Sequence, residues 1–159
     1  MKEKMKRIIS LLLLVCCCSM LFAVPAMAES LSDDFSVETD TNEDYAEDTT
    51  YSVLRGNNLS FGTTTIKKLA SNKVIITGIT QCHHTCSKVY LSVYLERKVN
   101  GRYSTYKSWD FTASNATNLT RDLTVIVPSG YYYRVRGYHA AKDDSQESTT
   151  TLTNGVLVK

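Results

Sequence analysis

The sequence predicts an all-β domain: a seven-stranded sandwich of two sheets, preceded by a signal peptide and a disordered acidic segment. Three observations lead there. After residue 60 apolar side chains recur with period two, the mark of strands with one buried face, and no stretch sustains the period of an amphipathic helix. Polar breaks separate the alternating runs at short intervals. Two of these breaks, Asn100-Gly101 and Pro128-Ser129-Gly130, have the composition of tight turns.

The N-terminal 28 residues read as a cleavable export signal. Lys2, Lys4, Lys6 and Arg7 stand against a single acid, Glu3, and an apolar stretch follows from Ile8 to Val24. Pro25 ends a helix, and Ala26-Met27-Ala28 offers the small residues a signal peptidase accepts, so cleavage is expected after Ala28. The rival reading is an uncleaved anchor, since the apolar run has 17 residues and a spanning helix needs about 20. Lipid attachment fits poorly, because Cys16 follows Val15 while Cys17 and Cys18 follow cysteines. The lysine-rich start suits a bacterial signal, which leaves the glycosylation-type sequences at Asn58, Asn115 and Asn118 without a role. The expected destination is outside the cell, in the medium or at the cell wall, with no membrane span after cleavage.

Residues 29–50 carry nine acids and no Lys or Arg, with only Leu31, Phe35, Val37 and Tyr45 as sizeable apolar side chains. That is too little apolar surface to offset the entropy of ordering a chain, so this segment is expected to be a disordered acidic tail. A second reading lays it back on the domain, because residues 51–159 hold 14 basic against six acidic residues and would attract it.

Within residues 51–159, strands are expected at 64–69, 73–80, 88–98, 102–112, 119–127, 131–141 and 149–158. The clearest is 88–98, where Val89, Leu91, Val93 and Leu95 alternate with Tyr90, Ser92, Tyr94 and Glu96. Asn100-Gly101 makes 102–112 its antiparallel neighbour, with Trp109 and Phe111 turned to the core. Seven short strands in about 100 residues suit an immunoglobulin or fibronectin type III-like sandwich, with a barrel as the alternative. The residues Val89 to Arg97, Asn100-Gly101, Lys107-Ser108-Trp109, Gly130 to Val135 and Asn154-Gly155 resemble a family of small secreted Gram-positive bacterial proteins of unknown function, over roughly residues 60–156. That resemblance implies no activity, cofactor or catalytic residue. Pro128 to Val135 is also similar to the turn and strand of fibronectin type III domains, although three adjacent tyrosines leave the matching one open.

Removing the leader leaves two cysteines, Cys82 and Cys86, which are expected to pair as a disulfide in an oxidising space. Their neighbours make a metal site the alternative, with Cys82, His83, His84 and Cys86 as ligands for zinc or copper, and a labile redox pair a further one. Adjacent residues in a five-residue loop cannot easily aim all four side chains at one ion. His139 reads as a packed histidine. The scattered carboxylates Asp110, Asp122, Asp143, Asp144 and Glu147 form no acid and base pair, so neither a catalytic residue nor a cofactor is expected.

The candidate ligand face combines Tyr90 and Tyr94 of one strand with Tyr132, Arg134, Arg136 and Tyr138 of another, and Tyr106 from the hairpin partner. Tyrosine stacks on sugars and hydrogen-bonds through its hydroxyl, and arginine grips carboxylate or phosphate. The same residues also make ordinary cross-strand pairs. Together these features point to a non-catalytic binding module for a cell-wall polymer or surface protein. A self-associating structural or adhesive module comes second, a metal or redox protein third, and nucleic acid is the poorer polyanion for an exported protein.

Overall fold

Threonine, tyrosine, valine and isoleucine recur throughout the chain beyond residue 40, and their branched or aromatic side chains suit a pleated surface. The structure is a computed structural model that describes residues 40–52 and 56–159, and these form strands without a helix. The predicted export signal, the rest of residues 1–39, and residues 53–55 lie outside the described residues. Among the described residues no helix is long and apolar enough to cross a membrane.

In chain order the strands are β1 (Asp40–Thr41), β2 (Tyr45–Tyr51), β3 (Leu59–Ala70), β4 (Lys73–Val99), β5 (Arg102–Ile126), β6 (Tyr131–Lys142), β7 (Gln146–Leu152) and β8 (Gly155–Val158). They join into one sheet in the order β1-β8-β6-β4-β3-β2, with β5 along the remaining side of β4 and β7 also on β6. The 27-residue β4 spans the whole domain: its first half pairs with β3, its second half with β6. β3 packs across the interior against β6, β7 and β8, so the sheet folds over on itself. On the far side the Asp48 carboxylate accepts the Leu152 N–H at 2.8 Å, tying β2 to β7 and nearly closing a barrel.

In place of seven strands divided between two sheets, the structure has a single sheet of eight strands. The segments 73–80 and 88–98 are one strand, because β4 crosses the polar run between them in a wide bulge rather than a turn. There the register with β5 passes from Gln81↔Asn118 to Cys86↔Ala116, so on that side residues 82–85 of β4 stand against the single residue Thr117, and the Gln81 amide bridges the gap to the Thr117 carbonyl at 3.1 Å. Segments 102–112 and 119–127 merge likewise into β5, which follows the bend with Asn115 at φ 50°. The Asn100-Gly101 hairpin forms as expected, with φ values of 52° and 80° and Val99 opposite Arg102.

A second correction concerns the acidic segment. Residues 40–41 and 45–51 are not a disordered tail but β1 and β2, the latter paired with β3 over seven residues. Ladder hydrogen bonds and satisfied acids hold them, with Ala46 as the one side chain they add to the apolar core. Asp44 meets Lys68 at 2.7 Å and Asp40 meets Lys98 at 2.8 Å. Burial alone would raise the Asp40 carboxyl, but hydrogen bonds from Lys98 and Tyr103 outweigh it and hold the group below the usual carboxylate range.

The core comes from the inward residues of all the long strands, among them Ile66, Val74, Ile76, Val89, Leu91, Val93, Leu95, Tyr133 and Val135. Tyr133 is the packed member of the tyrosine triplet, and its hydroxyl donates to the Pro128 carbonyl at 2.9 Å. One buried polar cluster interrupts the apolar interior. His139 has Thr80 Oγ1 3.0 Å from Nδ1 and Thr151 Oγ1 3.0 Å from Nε2. The Thr80 hydroxyl donates to the Tyr90 carbonyl at 3.1 Å and so accepts from Nδ1–H, which leaves Nε2 to accept from Thr151. A neutral imidazole satisfies every group.

Burial pushes the His139 pKa down from 6.5 to about 4, opposed only by a backbone bond to Ile79. The unfolded chain takes up the proton first, so this contribution to stability is complete above pH 6.5 and is lost as the pH falls towards 4. About 2 kcal/mol should be gone at pH 5. Urea midpoints at pH 7.5 and pH 5 measure it, and His139→Gln should flatten the difference.

Candidate binding face

Alternation along β4 and β6 sorts their side chains into two sets. Val89, Leu91, Val93 and Leu95, with Tyr133, Val135 and His139, are buried. Tyr90, Ser92, Tyr94 and Glu96 lie on the opposite face, and the register sets Ala140, Tyr138, Arg136 and Arg134 directly across from them. The structure thus brings together Tyr90, Tyr94, Arg134, Arg136 and Tyr138, with Tyr132 at the end of the same row on β6 beside Leu157 of β8.

Tyr106 does not join them. Between Leu95↔Lys107 and Glu96↔Thr105 the β5 strand carries one extra residue, Tyr106 itself. That bulge turns its ring inward, edge-on to Tyr133 at 6.1 Å and beneath the Arg97 guanidinium at 4.9 Å. The same slip brings Tyr103 to the outer face, where it stacks under Arg134 at 4.0 Å.

Glu96, which the sequence reading passed over, organises the arginine end of the face. Its two carboxylate oxygens accept from Arg134 Nε at 2.7 Å and Arg136 Nε at 3.0 Å, and the two guanidinium groups cover it until its side chain is 9 % exposed. Arg136 also lies over the Tyr94 ring at 4.1 Å. The two arginines differ in access: the Arg134 side chain is 12 % exposed and that of Arg136 is 36 %. Arg136 is the guanidinium a ligand can reach.

At the other end of the face an open depression of about 350 Å³ is lined by Tyr90, Ser92, Asp110, Phe111, Thr112, Tyr138 and Gln146. Register explains the set: Tyr90 faces Thr112, and Ser92 faces both Asp110 of β5 and Tyr138 of β6. Ser92 Oγ donates to Asp110 at 2.5 Å and so orients the carboxylate, while Gln146 Nε2 donates to the Tyr138 hydroxyl at 3.4 Å. Asp110, Thr112 and Gln146 were missed because they sit on edge strands whose register depends on the bulge at Tyr106 and on β7 starting at Gln146.

The Cys82 to Cys86 loop does not gather a metal site. Both cysteines are buried and stand as free thiols, whereas His83 and His84 are exposed, and His84 pairs with Asp143 at 3.3 Å. Among the described residues no group of three or more His, Cys, Asp or Glu side chains converges on a point that could hold an ion.

The model of a family of unknown function, DUF6147, matches residues 29–156. The chain belongs to that family. The matched range takes in β1 and β2 as well as the later strands. No curated protein matches the chain. Among solved structures, the sporulation control protein Spo0M from Bacillus subtilis is similar at 12% identity with a TM-score of 0.39, over 72% of this chain and 50% of that one. The chain thus spans half the length of Spo0M. Chicken MD-1 complexed with lipid IVa is similar at 12% identity with a TM-score of 0.32, over 72% of this chain and 92% of that one. Likenesses of this size carry no functional argument.

Proposed function

We propose that this DUF6147 chain is an exported, non-catalytic module that binds a saccharide of the cell envelope on the outer face of β4 and β6. The observation that carries the reading is the depression between Tyr90 and Tyr138, where two phenol rings flank an oriented carboxylate, a hydroxyl and an amide. A pyranose ring offers an apolar C–H face for the rings and equatorial hydroxyls for Asp110, Ser92 and Gln146. Arg136 precedes Tyr138 by two residues on β6, about 7 Å away, placing an accessible guanidinium where an acidic substituent on the sugar would lie.

Titration of the purified chain with solubilised cell-wall glycan tests the reading. Tyr138→Ala should weaken binding about tenfold, the equivalent of one stacked ring at about 1.4 kcal/mol, with the unfolding midpoint within 1–2 °C of wild type. Affinity unchanged in both Tyr138→Ala and Tyr90→Ala overturns it.

One observation favours self-association as the second reading. β5 pairs only with β4, so one side of a 25-residue strand has no strand beside it among the described residues. Sedimentation of the concentrated chain decides between the readings. A single monomeric species removes the second, and a concentration-dependent oligomer supports it.

A further inference from the structure

Cys82 and Cys86 bracket the bulge of β4, with exposed His83, His84 and Thr85 between them and both thiols turned into the core. Residues four apart on a regular strand are separated by about 13 Å, far beyond disulfide reach. The bulge shortens that separation, because on the β5 side the four residues 82–85 stand against the single residue Thr117. The two thiols are near enough for each to act on the other's ionisation. Around them, Cys86 Sγ lies 3.7 Å from the His84 carbonyl oxygen and 3.9 Å from that of Asn58, the residue whose carbonyl also accepts the His83 N–H at 2.9 Å.

We infer that Cys82 and Cys86 form a disulfide only while the chain is folding, and that closure of β3, β4 and β5 around them then seals whichever redox state they hold. The chemistry is thiol–disulfide exchange with an external small-molecule disulfide. One cysteine thiolate attacks it and expels a thiol, and the second cysteine attacks the mixed disulfide and expels the other. The chain gives up two electrons and two protons, and the acceptor leaves as two thiols.

Timing follows from access. Exchange needs a thiolate that an outside sulfur can approach. In the folded chain Cys82 is 4 % exposed and Cys86 0 %. Desolvation pushes the Cys82 thiol up to about 12 and raises Cys86 in the same direction. The unfolded chain has neither obstacle. Burial of the finished bond equally shields it from reductants. The three residues in the loop are exposed, so the closed ring would displace no core side chain between them.

The experiment compares two routes into the same buffer. One sample of the full chain is denatured and reduced, then refolded in mixed reduced and oxidised glutathione. The other is first refolded under excess dithiol and then transferred to that buffer for the same time. Both are quenched with an alkylating reagent and digested with trypsin. Lys73 and Lys88 flank the pair, so one peptide, residues 74–88, reports it separately from Cys16, Cys17 and Cys18. The expected result is a peptide two hydrogens lighter and unalkylated from the first sample, and a doubly alkylated peptide from the second once it is unfolded for labelling. Double alkylation in the first sample, or a glutathione adduct or cross-linked chain in place of the internal bond, overturns the pairing. Oxidation of the second sample as fast as the first overturns the sealing.

Discussion

Replacing Glu96 with alanine should cost the domain about 3 kcal/mol, measured as a fall in the denaturant midpoint with the slope unchanged. The size follows from what stays behind. Glu96 takes one charged hydrogen bond from each of two arginines and is itself nearly covered by them. Removing it leaves the Arg134 guanidinium, 12 % exposed, pressed between the Tyr103 ring and the sheet without its nearest counter-charge. Asp40 acts on Arg134 only at longer range. Glu96→Gln keeps the shape and loses the charge, so it should fall between wild type and alanine. A loss below 1 kcal/mol for Glu96→Ala would mean that the cluster behaves as an exposed surface pair.

Gly62→Ala should be comparably damaging, at about 3 kcal/mol, for a steric reason. A Cβ on Gly62 would overlap the His139 ring and its Cβ. Neither side has room to yield: Gly62 is paired with Thr50 of β2 and Thr80 of β4, and both ring nitrogens of His139 are engaged by threonines. Overpacking of this kind costs about 1–3 kcal/mol, and the broken polar contacts bring the total to the upper end. The double variant Gly62→Ala with His139→Ala separates the causes. If the clash is the source, the second substitution should recover part of the loss instead of adding to it.

Much of the architecture was legible because period-two alternation is a local signal. Val89 to Leu95 declared their buried face without any neighbour, and Asn100-Gly101 specified the hairpin through its positive φ values. What escaped the sequence was whatever depends on a slip between strands. Counting back by twos from inward Trp109 puts Tyr106 outside and Tyr103 inside, and the single extra residue at Tyr106 reverses both. The polar run around His83 and His84 has the composition of a turn, yet β3, β5 and the Gln81 side chain hold it in the sheet as a bulge. β2 was misread for a different reason. Apart from the buried Ala46 its strand is built from threonines, tyrosines and acids, whose hydrogen bonds to β3 and β7 leave no apolar alternation to read.

The candidate face was legible to a similar extent. Its β4 and β6 members follow from alternation alone, since Tyr90, Tyr94, Tyr132, Arg134, Arg136 and Tyr138 all share parity with known outward neighbours. The sequence could not tell that Glu96 would occupy both arginines, or that Asp110 and Gln146 would converge beside Tyr138, because these are cross-strand facts.

A saccharide seated in the depression between Tyr90 and Tyr138 would touch backbone of three neighbouring strands and β7. Amide chemical shifts of the isotopically labelled chain, followed during titration with solubilised cell-wall glycan, test it most directly. Shifts should concentrate at Tyr90 to Ser92, Asp110 to Thr112, Tyr138 and Gln146, and be lost in Tyr138→Ala. An unperturbed spectrum at millimolar glycan, or shifts confined to the second half of β5, would contradict it.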